Sequence, residues 1–301
     1  MAKIDIDELI AFNALADLGS FSAAAEHIHI SQPAFSRRID KLEKALESKL
    51  VERTTRQVIL TATGRDFHRN IQRILIDLDT TILGVKGPTN FNRGEVVVGC
   101  VPSAVNYFAS RVIKQFHHSY PMVKVKLIDS SANDILLDVA RGDADFGINF
   151  VGAQDQEVEF TELVTEQFVA ACRRDHPLAK QKTVRWSELG KYDYIAADKG
   201  SGNRLLIDQA LASLDEKPKS IFETQHGTTM IGLVEAGLGV ASVPSMAMPS
   251  DDHPLLCSVP LIEPEVKRVV GLIKRRGREL SPLAQILMNL FLEYKTITKA
   301  V

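Results

Sequence analysis

The stretch from residue 20 to residue 43 limits the fold of this chain most, because its pattern indicates two short helices separated by a break at His29-Ile30. The hydroxyl of Ser20 or Ser22 can cap the first helix, and that of Ser31 can cap the second. The second helix carries one apolar stripe at helical spacing, formed by Phe35, Ile39, Leu42 and Leu46. That stripe predicts burial of one face of the helix.

The opposite face of the second helix is polar and basic, a layout typical of the recognition helix of a helix-turn-helix motif. Short polar groups near the helix start can meet base edges, while cations can meet phosphates. The residues of this helix that we expect to contact DNA are Ser31, Gln32, Pro33, Ser36, Arg37, Arg38 and Lys41. A solvated amphipathic helix without a DNA partner is the alternative that this pattern leaves open.

Residues 50–61 indicate a short hairpin with a polar, basic turn. As a wing beside the recognition helix, it would touch the DNA backbone or minor groove through Arg53, Thr54 and Arg56. The net charge of the chain is −2, yet nine Lys and Arg residues outnumber five Asp and Glu residues between positions 31 and 70. A local excess suffices when two or more copies of the motif meet DNA together, because their phosphate contacts add.

Residues 7–63 resemble the winged helix-turn-helix of the LysR-type transcriptional regulators, and the likeness extends more weakly over nearly the whole chain. The segments that carry it are Gly19-Ser20-Phe21, Ala23-Ala24-Ala25, Ser31-Gln32-Pro33-Ala34-Phe35-Ser36, Leu42-Glu43, Glu52-Arg53 and Leu60-Thr61. Leu50-Val51 departs from the family, which often has leucine followed by phenylalanine. The resemblance implies a regulator that binds double-stranded DNA at an interrupted inverted repeat, with RNA polymerase as a further partner.

A long helix is predicted after Thr63, with apolar residues at alternating spacings of four and three. A heptad seam of this kind pairs with another copy, although a helix packed on its own chain would show the same stripe. Resemblance to the linker helix of the family favours a dimer, and the family expectation is a tetramer. The expected dimerisation residues are Phe67, Ile71, Ile74 and Leu78.

Beyond the Gly- and Asn-containing residues 84–92, strands alternate with helices, which indicates a mostly parallel α/β sheet. The predicted strands are 95–101, 123–128, 144–150, 168–172, 194–197, 220–223, 240–243 and the returning segment 266–273. The chain leaves the first group of strands, forms a second group and returns through residues 266–273. This path implies two lobes joined by two crossings of the chain. This part resembles the periplasmic-binding-protein-like effector domain of the same family.

The predicted fold is therefore α/β, with an all-α-rich N-terminal winged helix-turn-helix, a long linker helix and a two-lobed effector domain. The expected DNA-binding domain spans residues 1–62, and the linker helix and hinge span residues 63–92. The expected effector domain spans residues 93–301, with lobe one at about 93–164 and 266–301 and lobe two at about 165–265.

Ligands of open α/β sheets gather beyond the carboxyl ends of the strands, where helix N-termini offer free N–H groups. Helices are predicted to start at Ser103, at Ser130 and in the turn 199–203. Serine before a helix is commonly only a cap, so ordinary capping remains open at each place. Family resemblance implies an inducer between the lobes, beside Ser103 and Ser201. We expect a small anion such as a carboxylate, bound by Ser103, Ser130, Phe150, Lys199, Ser201, Asn203 and His226.

Catalytic and metal-binding motifs such as a P-loop, GxGxxG, GxSxG or HExxH do not occur in the sequence,. We therefore expect no enzyme, catalytic residue, metal or cofactor apart from the small-molecule effector. Cys100, Cys172 and Cys257 are odd in number and lack CxxC spacing, which argues against a disulfide framework,. We expect them to be buried as small hydrophobic residues, with a redox-sensing thiol as the alternative.

The first eight residues contain acids where a secretory signal needs an apolar core, and no window approaches the apolar run of about 18 residues that a spanning helix needs,. We therefore expect a cytoplasmic protein with no membrane partner. The nearest competing interpretation is a cytosolic small-molecule-binding protein whose N-terminal helices only mediate oligomerisation. Specific retention of DNA separates the two.

Overall fold

The computed structural model describes residues 4–53, 58–85, 94–150, 155–214 and 216–298. The chain divides into two compact units, Met1–Asn90 and Phe91–Val301. This division lies close to residue 93, where the sequence predicts the effector domain to begin.

The first unit contains helices and a two-stranded hairpin. In chain order its elements are α1 (Ile6–Leu18), α2 (Phe21–His27), α3 (Gln32–Ala45), β1 (Val51–Arg53), β2 (Val58–Leu60) and α4 (Ala62–Val85). The strands β1 and β2 pair antiparallel, with Val51 opposite Leu60. The fold is thus the predicted helix-turn-helix followed by a hairpin and a long helix.

The break between α2 and α3 follows from local backbone chemistry. Ser20 caps α2, since its Oγ accepts a hydrogen bond from the N–H of Ala23 at 3.4 Å. His29 then adopts a left-handed φ of 57°, which the helix cannot continue through,. Ser31 occupies the N-cap position of α3 but makes no side-chain capping bond, so the predicted role of its hydroxyl as a cap is wrong.

Glu43 fastens the hairpin to α3. Its Oε1 accepts hydrogen bonds from the N–H groups of Leu50 and Val51, at 2.8 and 3.2 Å, and its Oε2 accepts one from Lys49 Nζ at 2.6 Å. Burial by itself would raise the pKa of Glu43, but these three hydrogen bonds outweigh it and lower the pKa below its ordinary value. The ionised carboxylate therefore positions β1 beside the C-terminal half of α3.

The apolar stripe of α4 begins by packing within its own chain, which removes Ile71 from the predicted dimer seam and leaves Phe67 half-buried. Ile71 is 1% exposed and belongs to the core of the first unit. The Phe67 ring lies 5.5 Å from that of Phe12 on α1. Of the four predicted dimerisation residues, Leu78 is half-buried and Ile74 is 54% exposed. The dimer contact stays a prediction for Ile74 and Leu78, and Ile74 lies seven residues, about two helical turns, after Phe67,.

The second unit is an α/β structure. Its strands are β3 (Gly94–Cys100), β4 (Val123–Asp129), β5 (Phe146–Asn149), β6 (Val158–Arg173), β7 (Val184–Arg185), β8 (Tyr194–Ala197), β9 (Ser220–Thr224), β10 (Val240–Pro244), β11 (Leu256–Ile262) and β12 (Lys267–Arg275). Its helices are α5 (Pro102–Ala104), α6 (Ser110–Ser119), α7 (Ala132–Arg141), α8 (Trp186–Leu189), α9 (Gly202–Ala210), α10 (Gly227–Glu235) and α11 (Pro282–Thr298). A π-helical segment, Val105–Ala109, joins α5 to α6.

Two lobes are connected by the long strands β6 and β12. The main sheet runs in the order β4-β3-β5-β12-β6-β10-β8-β9, and β11 pairs with β6 and β7. Parallel pairs join β3 to β4 and β5, and join β8 to β9 and β10. The prediction of a mostly parallel sheet is wrong at the centre, because β6 and β12 pair antiparallel with each other and with β10 and β5, respectively.

The three cysteines are free thiols. Cys100 and Cys172 are buried, as expected, whereas Cys257 is half-buried. Although Cys172 and Cys257 are distant in sequence, they are partners in the β6/β11 register, and their Sγ atoms lie 3.6 Å apart. Burial raises the pKa of Cys172 to about 12, which suppresses the reactive thiolate,.

No helix within the described ranges combines the length and apolar character that crossing a bilayer requires.

Candidate functional site

The start of α3 presents the predicted base-reading residues to solvent. Ser31, Gln32, Pro33 and Arg37 are exposed, and Ser36 is half-buried. On a helix, residues four positions apart lie on the same face, so Gln32 and Ser36 are neighbours, as are Pro33 and Arg37. This polar surface stays outside because the stripe on the other side of α3, Phe35, Ile39 and Leu42, is fully buried.

Two of the cations predicted to meet phosphates are paired with acids of α1 and its N-cap. Arg38 Nη2 lies 2.9 Å from Asp7 Oδ2, and Lys41 Nζ lies 2.7 Å from Asp5 and 2.5 Å from Glu8. Hydrogen bonds to Asp5 and Glu8 raise the pKa of Lys41. The acids Asp5, Asp7 and Glu8 thus offset part of the positive charge of Arg38 and Lys41 at the protein surface,.

Arg37 and Lys44 remain the cations of α3 without an ion pair to the described residues. The Nε of Arg37 donates only to the carbonyl oxygen of Pro33 on its own helix, at 3.3 Å. For the wing, Thr54 and Arg56 lie outside the described residues, as does the side chain of Arg53.

In the second unit, a cleft between the lobes brings together all but one of the predicted effector-binding residues. It is lined by Ser103, Ser130, Phe150, Ser201, Asn203 and His226. Lys199 is exposed on the turn before α9 and does not line the cleft. The cavity measures about 30 Å³, which accommodates about two water molecules,.

Three helices begin at this cleft. Ser131 caps α7 by accepting a hydrogen bond from the N–H of Asp134, and Ser201 caps α9 by accepting one from the N–H of Asn203 at 3.3 Å. His226 occupies the N-cap position of α10. Helix N-termini carry partial positive charge and attract anions. Capping and a ligand contact are compatible at Ser201, because its O–H group remains a donor.

Ser130 is engaged differently from the prediction. Its Oγ donates to Asp134 Oδ2 at 3.2 Å, and the hydroxyl of Ser131 donates to the same oxygen at 2.6 Å. The Ser130 hydroxyl therefore donates its hydrogen to Asp134, so the Ser130 oxygen can act toward the cleft only as an acceptor.

Arg268 is the functional side chain that the sequence reading missed. It lines the cleft and is 4% exposed. Nη2 donates to Ser103 Oγ of the first lobe at 2.8 Å, and Nη1 donates to Asn203 Oδ1 of the second lobe at 2.7 Å. The guanidinium carbon lies 4.3 Å from the centre of the Phe150 ring. Burial lowers the pKa of Arg268, and the neighbouring Glu166 carboxylate opposes that shift.

Strand periodicity is the signal that could have located Arg268. Val266, Arg268 and Val270 are alternate residues, so they share one face of the returning segment, and all three are buried,. A cation on the buried face of a strand needs a partner and marks a candidate site. Glu166, which precedes the buried Phe168 and Ala170 in the same alternation on β6, is that partner.

Asn149 is a second residue that the prediction lacked, and it positions the wall of the cleft. Its side chain is fully buried at the end of β5. Nδ2 donates to the carbonyl oxygen of Ala132 at the start of α7, and Oδ1 accepts from the N–H of Phe150, both at 2.8 Å. Asn149 thus fixes Phe150 relative to one of the helix N-termini.

Both units match models of one protein family. Residues 6–65 match the bacterial regulatory helix-turn-helix protein of the lysR family, and residues 89–295 match the LysR substrate binding domain. The second match alone covers more than half of the chain.

Individual proteins resemble the chain over most of its length. The uncharacterized HTH-type transcriptional regulator YbhD of Escherichia coli K12 is 40% identical over 97% of this chain and 94% of its own length. A full-length OxyR variant from Pseudomonas aeruginosa has a similar fold, with a TM-score of 0.71, 21% identity and coverage of 99% of this chain and 96% of that one. The effector binding domain of QuiR in complex with shikimate gives a TM-score of 0.59 at 22% identity, over 68% of this chain and 98% of that one.

The family matches confirm the resemblance seen in the sequence: the chain belongs to the LysR family of DNA-binding transcriptional regulators, with a helix-turn-helix domain followed by an effector-binding domain.

Proposed function

We propose that this regulator changes its DNA binding when a small anion occupies the cleft between its two lobes. The observation that carries the proposal is the buried Arg268, which reaches this cleft beside the N-termini of α7, α9 and α10. A guanidinium and several helix N-termini around one small cavity favour an anionic ligand. Shikimate, which the similar QuiR domain holds, is a carboxylate anion and supports the same ligand class.

On the DNA side, Gln32 and Ser36 read base edges and Arg37 contacts phosphate. One recognition helix reaches only a few base pairs, so a two-fold dimer is expected to read two half-sites of an interrupted inverted repeat. Exposed Ile74, with Leu78, gives α4 an apolar surface for the second copy. The proposal also includes assembly into a tetramer and contact with RNA polymerase. It places the protein in the cytoplasm, where a bacterial regulator meets chromosomal DNA.

Ligand and DNA are coupled by a shift between lobe arrangements. Ser103 and Asn203 belong to different lobes, and both bind Arg268. A ligand that contacts Arg268 binds with different affinity to lobe arrangements of different separation, and it therefore changes the populations of these arrangements. The same difference in affinity changes how dimers pair and address adjacent sites on DNA.

The test is to incubate the purified full-length chain with fragmented DNA from its own source at about 0.15 M salt, and then to footprint the retained fragments with and without metabolite extract. Enrichment of an interrupted inverted repeat, with a footprint that the extract alters, is the expected result. Retention without sequence preference contradicts the proposal and favours a small-molecule-binding protein whose N-terminal helices serve oligomerisation. A matched Gln32→Ala chain distinguishes base reading from general attraction to DNA.

A further inference from the structure

Arg268 and Glu166 form a buried charge pair on the two strands that connect the lobes. They are direct partners in the antiparallel register of β12 and β6, and their side chains are 2% and 3% exposed. Nε and Nη2 of Arg268 lie 2.8 and 2.7 Å from Glu166 Oε1. An unpaired charge in this position would be strongly unfavourable, so Glu166 allows the guanidinium to remain in the interior.

The pair separates two cavities. Arg268 lines the cleft between the lobes, whereas Glu166 lines a second cavity of about 240 Å³ together with Tyr107 and Lys267. Near this second cavity, the N–H of Met246 donates a hydrogen bond to Oε2 of Glu166 at 2.8 Å. A ligand in the cleft therefore meets the cation directly, with the carboxylate of Glu166 behind it.

The Nη1 end of the guanidinium is held least firmly. Arginine carries five N–H donors. Nε donates to Glu166 Oε1, and Nη2 donates to Ser103 Oγ while it lies within ion-pair distance of the same carboxylate oxygen. Nη1 donates to the neutral Asn203 Oδ1, and its second N–H has no partner within the described residues. A carboxylate adds attraction between opposite charges to its hydrogen bond with Nη1, which the neutral amide oxygen of Asn203 does not supply. A carboxylate therefore competes well with the Asn203 amide for Nη1.

We propose that the effector anchors one carboxylate on Nη1 of Arg268 in place of Asn203, and that Glu166 sets the affinity from the opposite edge of the same guanidinium. This inference rests on the proposed function of the cleft. A carboxylate is planar and matches the planar guanidinium, whose face is already covered by the Phe150 ring,. The guanidinium binds both carboxylates and tetrahedral oxyanions, so the anchor defines a small oxyanion, and its assignment as a carboxylate comes from the proposed function of the cleft.

Glu166 opposes the ligand because the two carboxylates repel each other across the guanidinium. At a separation of roughly 6 Å and an effective dielectric constant of about 20, removing one of the two charges is expected to strengthen binding of the other at least tenfold. Replacing Asn203 on Nη1 also breaks the bond between Arg268 and the second lobe. Anchoring of the ligand and movement of the lobes are therefore one event.

Sodium acetate is the probe, since its carboxylate is all that the anchor requires. Thermal unfolding of the full chain, measured over an acetate series at constant ionic strength, gives an apparent Kd for each variant. Acetamide serves as the neutral control and sulfate as the tetrahedral one. The variants are Glu166→Gln, the double change Glu166→Gln with Arg268→Met, and Asn203→Ala. The double variant removes both charges together, so it avoids a buried unpaired charge and reports the general effect of salt.

Glu166→Gln is expected to bind acetate at least tenfold more tightly than the wild type, while the double variant shows only the general salt effect. Equal acetate affinity in the wild type and Glu166→Gln overturns the inference, as does a preference of Glu166→Gln for sulfate. Should Glu166→Gln not fold, Asn203→Ala decides: acetate affinity equal to or above that of the wild type supports replacement of Asn203, and loss of acetate binding overturns it.

The outcome is separable from that of the proposed function, which is measured by footprinting. A footprint that responds to extract, together with no gain of acetate affinity in Glu166→Gln, refutes the anchoring role and leaves the regulatory function standing. Tight acetate binding to Glu166→Gln with an unresponsive wild-type footprint refutes the regulatory role of the cleft instead.

Discussion

Replacement of Glu43 by alanine is expected to release the hairpin from α3. The change leaves the N–H groups of Leu50 and Val51 without their acceptor, and these residues are only 0% and 5% exposed. Each buried donor left unsatisfied costs about 1–3 kcal/mol, so the free energy of local opening should fall by about 2–6 kcal/mol. The bond to Lys49 adds little, because that side chain is 75% exposed,.

Glu43→Gln provides the sharper comparison. The amide oxygen of glutamine can still accept from both backbone N–H groups, so only the charge and the bond to Lys49 are lost. We expect this variant to lose about 1 kcal/mol, because surface ion pairs contribute up to about that amount. Glu26→Ala, at an exposed position of α2, is the matched control and should change stability by less than about 0.5 kcal/mol,.

Hydrogen–deuterium exchange of peptides that contain residues 50 and 51 measures the effect directly. A loss of about 2–6 kcal/mol accelerates exchange at these amides from roughly thirtyfold upward, since about 1.4 kcal/mol corresponds to a factor of ten. Unchanged exchange in Glu43→Ala would refute the role of the carboxylate. Equal exchange in the Ala and Gln variants would show that charge, rather than the position of the acceptor, holds the hairpin.

The same carboxylate makes the hairpin sensitive to acid. The folded-state pKa of Glu43 lies below its ordinary value of 4.5, so its stabilising contribution is complete above that value and is lost as the pH falls through the folded pKa,. The wild type should therefore lose protection at residues 50 and 51 on acidification below about pH 4.5, after correction for intrinsic exchange rates. Glu43→Gln should show no such dependence.

Three further changes test the first unit. Gly64→Ala places a Cβ 2.0 Å from the carbonyl oxygen of Leu50, so the hairpin or α4 must shift at a cost of about 1–3 kcal/mol,. The shift should appear as faster hydrogen–deuterium exchange in both elements. Exchange equal to that of the wild type would contradict this packing. Arg37→Ala should weaken binding to all DNA sequences alike and reduce the slope of log affinity against log salt concentration by about 1. Lys41 is already paired with acids, so Lys41→Ala should change this slope less. The reverse order would contradict this assignment. Gln32→Ala should reduce discrimination at one base pair by about 1–3 kcal/mol, and an unchanged preference at every position in a binding-site selection would remove its role in base reading.

Local periodicity explains what could be predicted from the sequence. The stripe of Phe35, Ile39 and Leu42 is a helical pattern within one short segment, and burial of that stripe leaves Gln32 and Arg37 outside. Helix starts after buried strands likewise located Ser103 and Ser201, because strand ends and helix N-termini meet at one edge of a sheet.

Contacts between distant segments explain what could not be predicted. Arg268 and Glu166 are 102 positions apart, and only the pairing of β12 with β6 makes them neighbours. The first half of β6 was not recognised as a strand, because exposed polar residues such as Glu162 and Thr165 interrupt its apolar pattern.

The stripe of α4 shows a different limit of sequence reasoning. The same alternation of apolar residues suits a second copy and a neighbouring helix of the same chain. The structure buries Ile71 in the core of the first unit, covers Phe67 in part through its contact with Phe12, and leaves Ile74 exposed. Periodicity predicts that a face is buried, but it does not identify the partner that buries it.

The coupling of the cleft to DNA is tested most directly by footprinting the enriched site with the wild type, Ser201→Ala and Lys199→Ala, over a titration of the active fraction of the extract. Ser201 lines the cleft, whereas Lys199, two positions earlier, is exposed and does not. All three proteins should give the same footprint without extract. The footprints of the wild type and Lys199→Ala should then change at the same concentration, while that of Ser201→Ala requires a higher one. A response of Ser201→Ala equal to that of the wild type, or loss of its footprint in the absence of extract, would contradict regulation through this cleft.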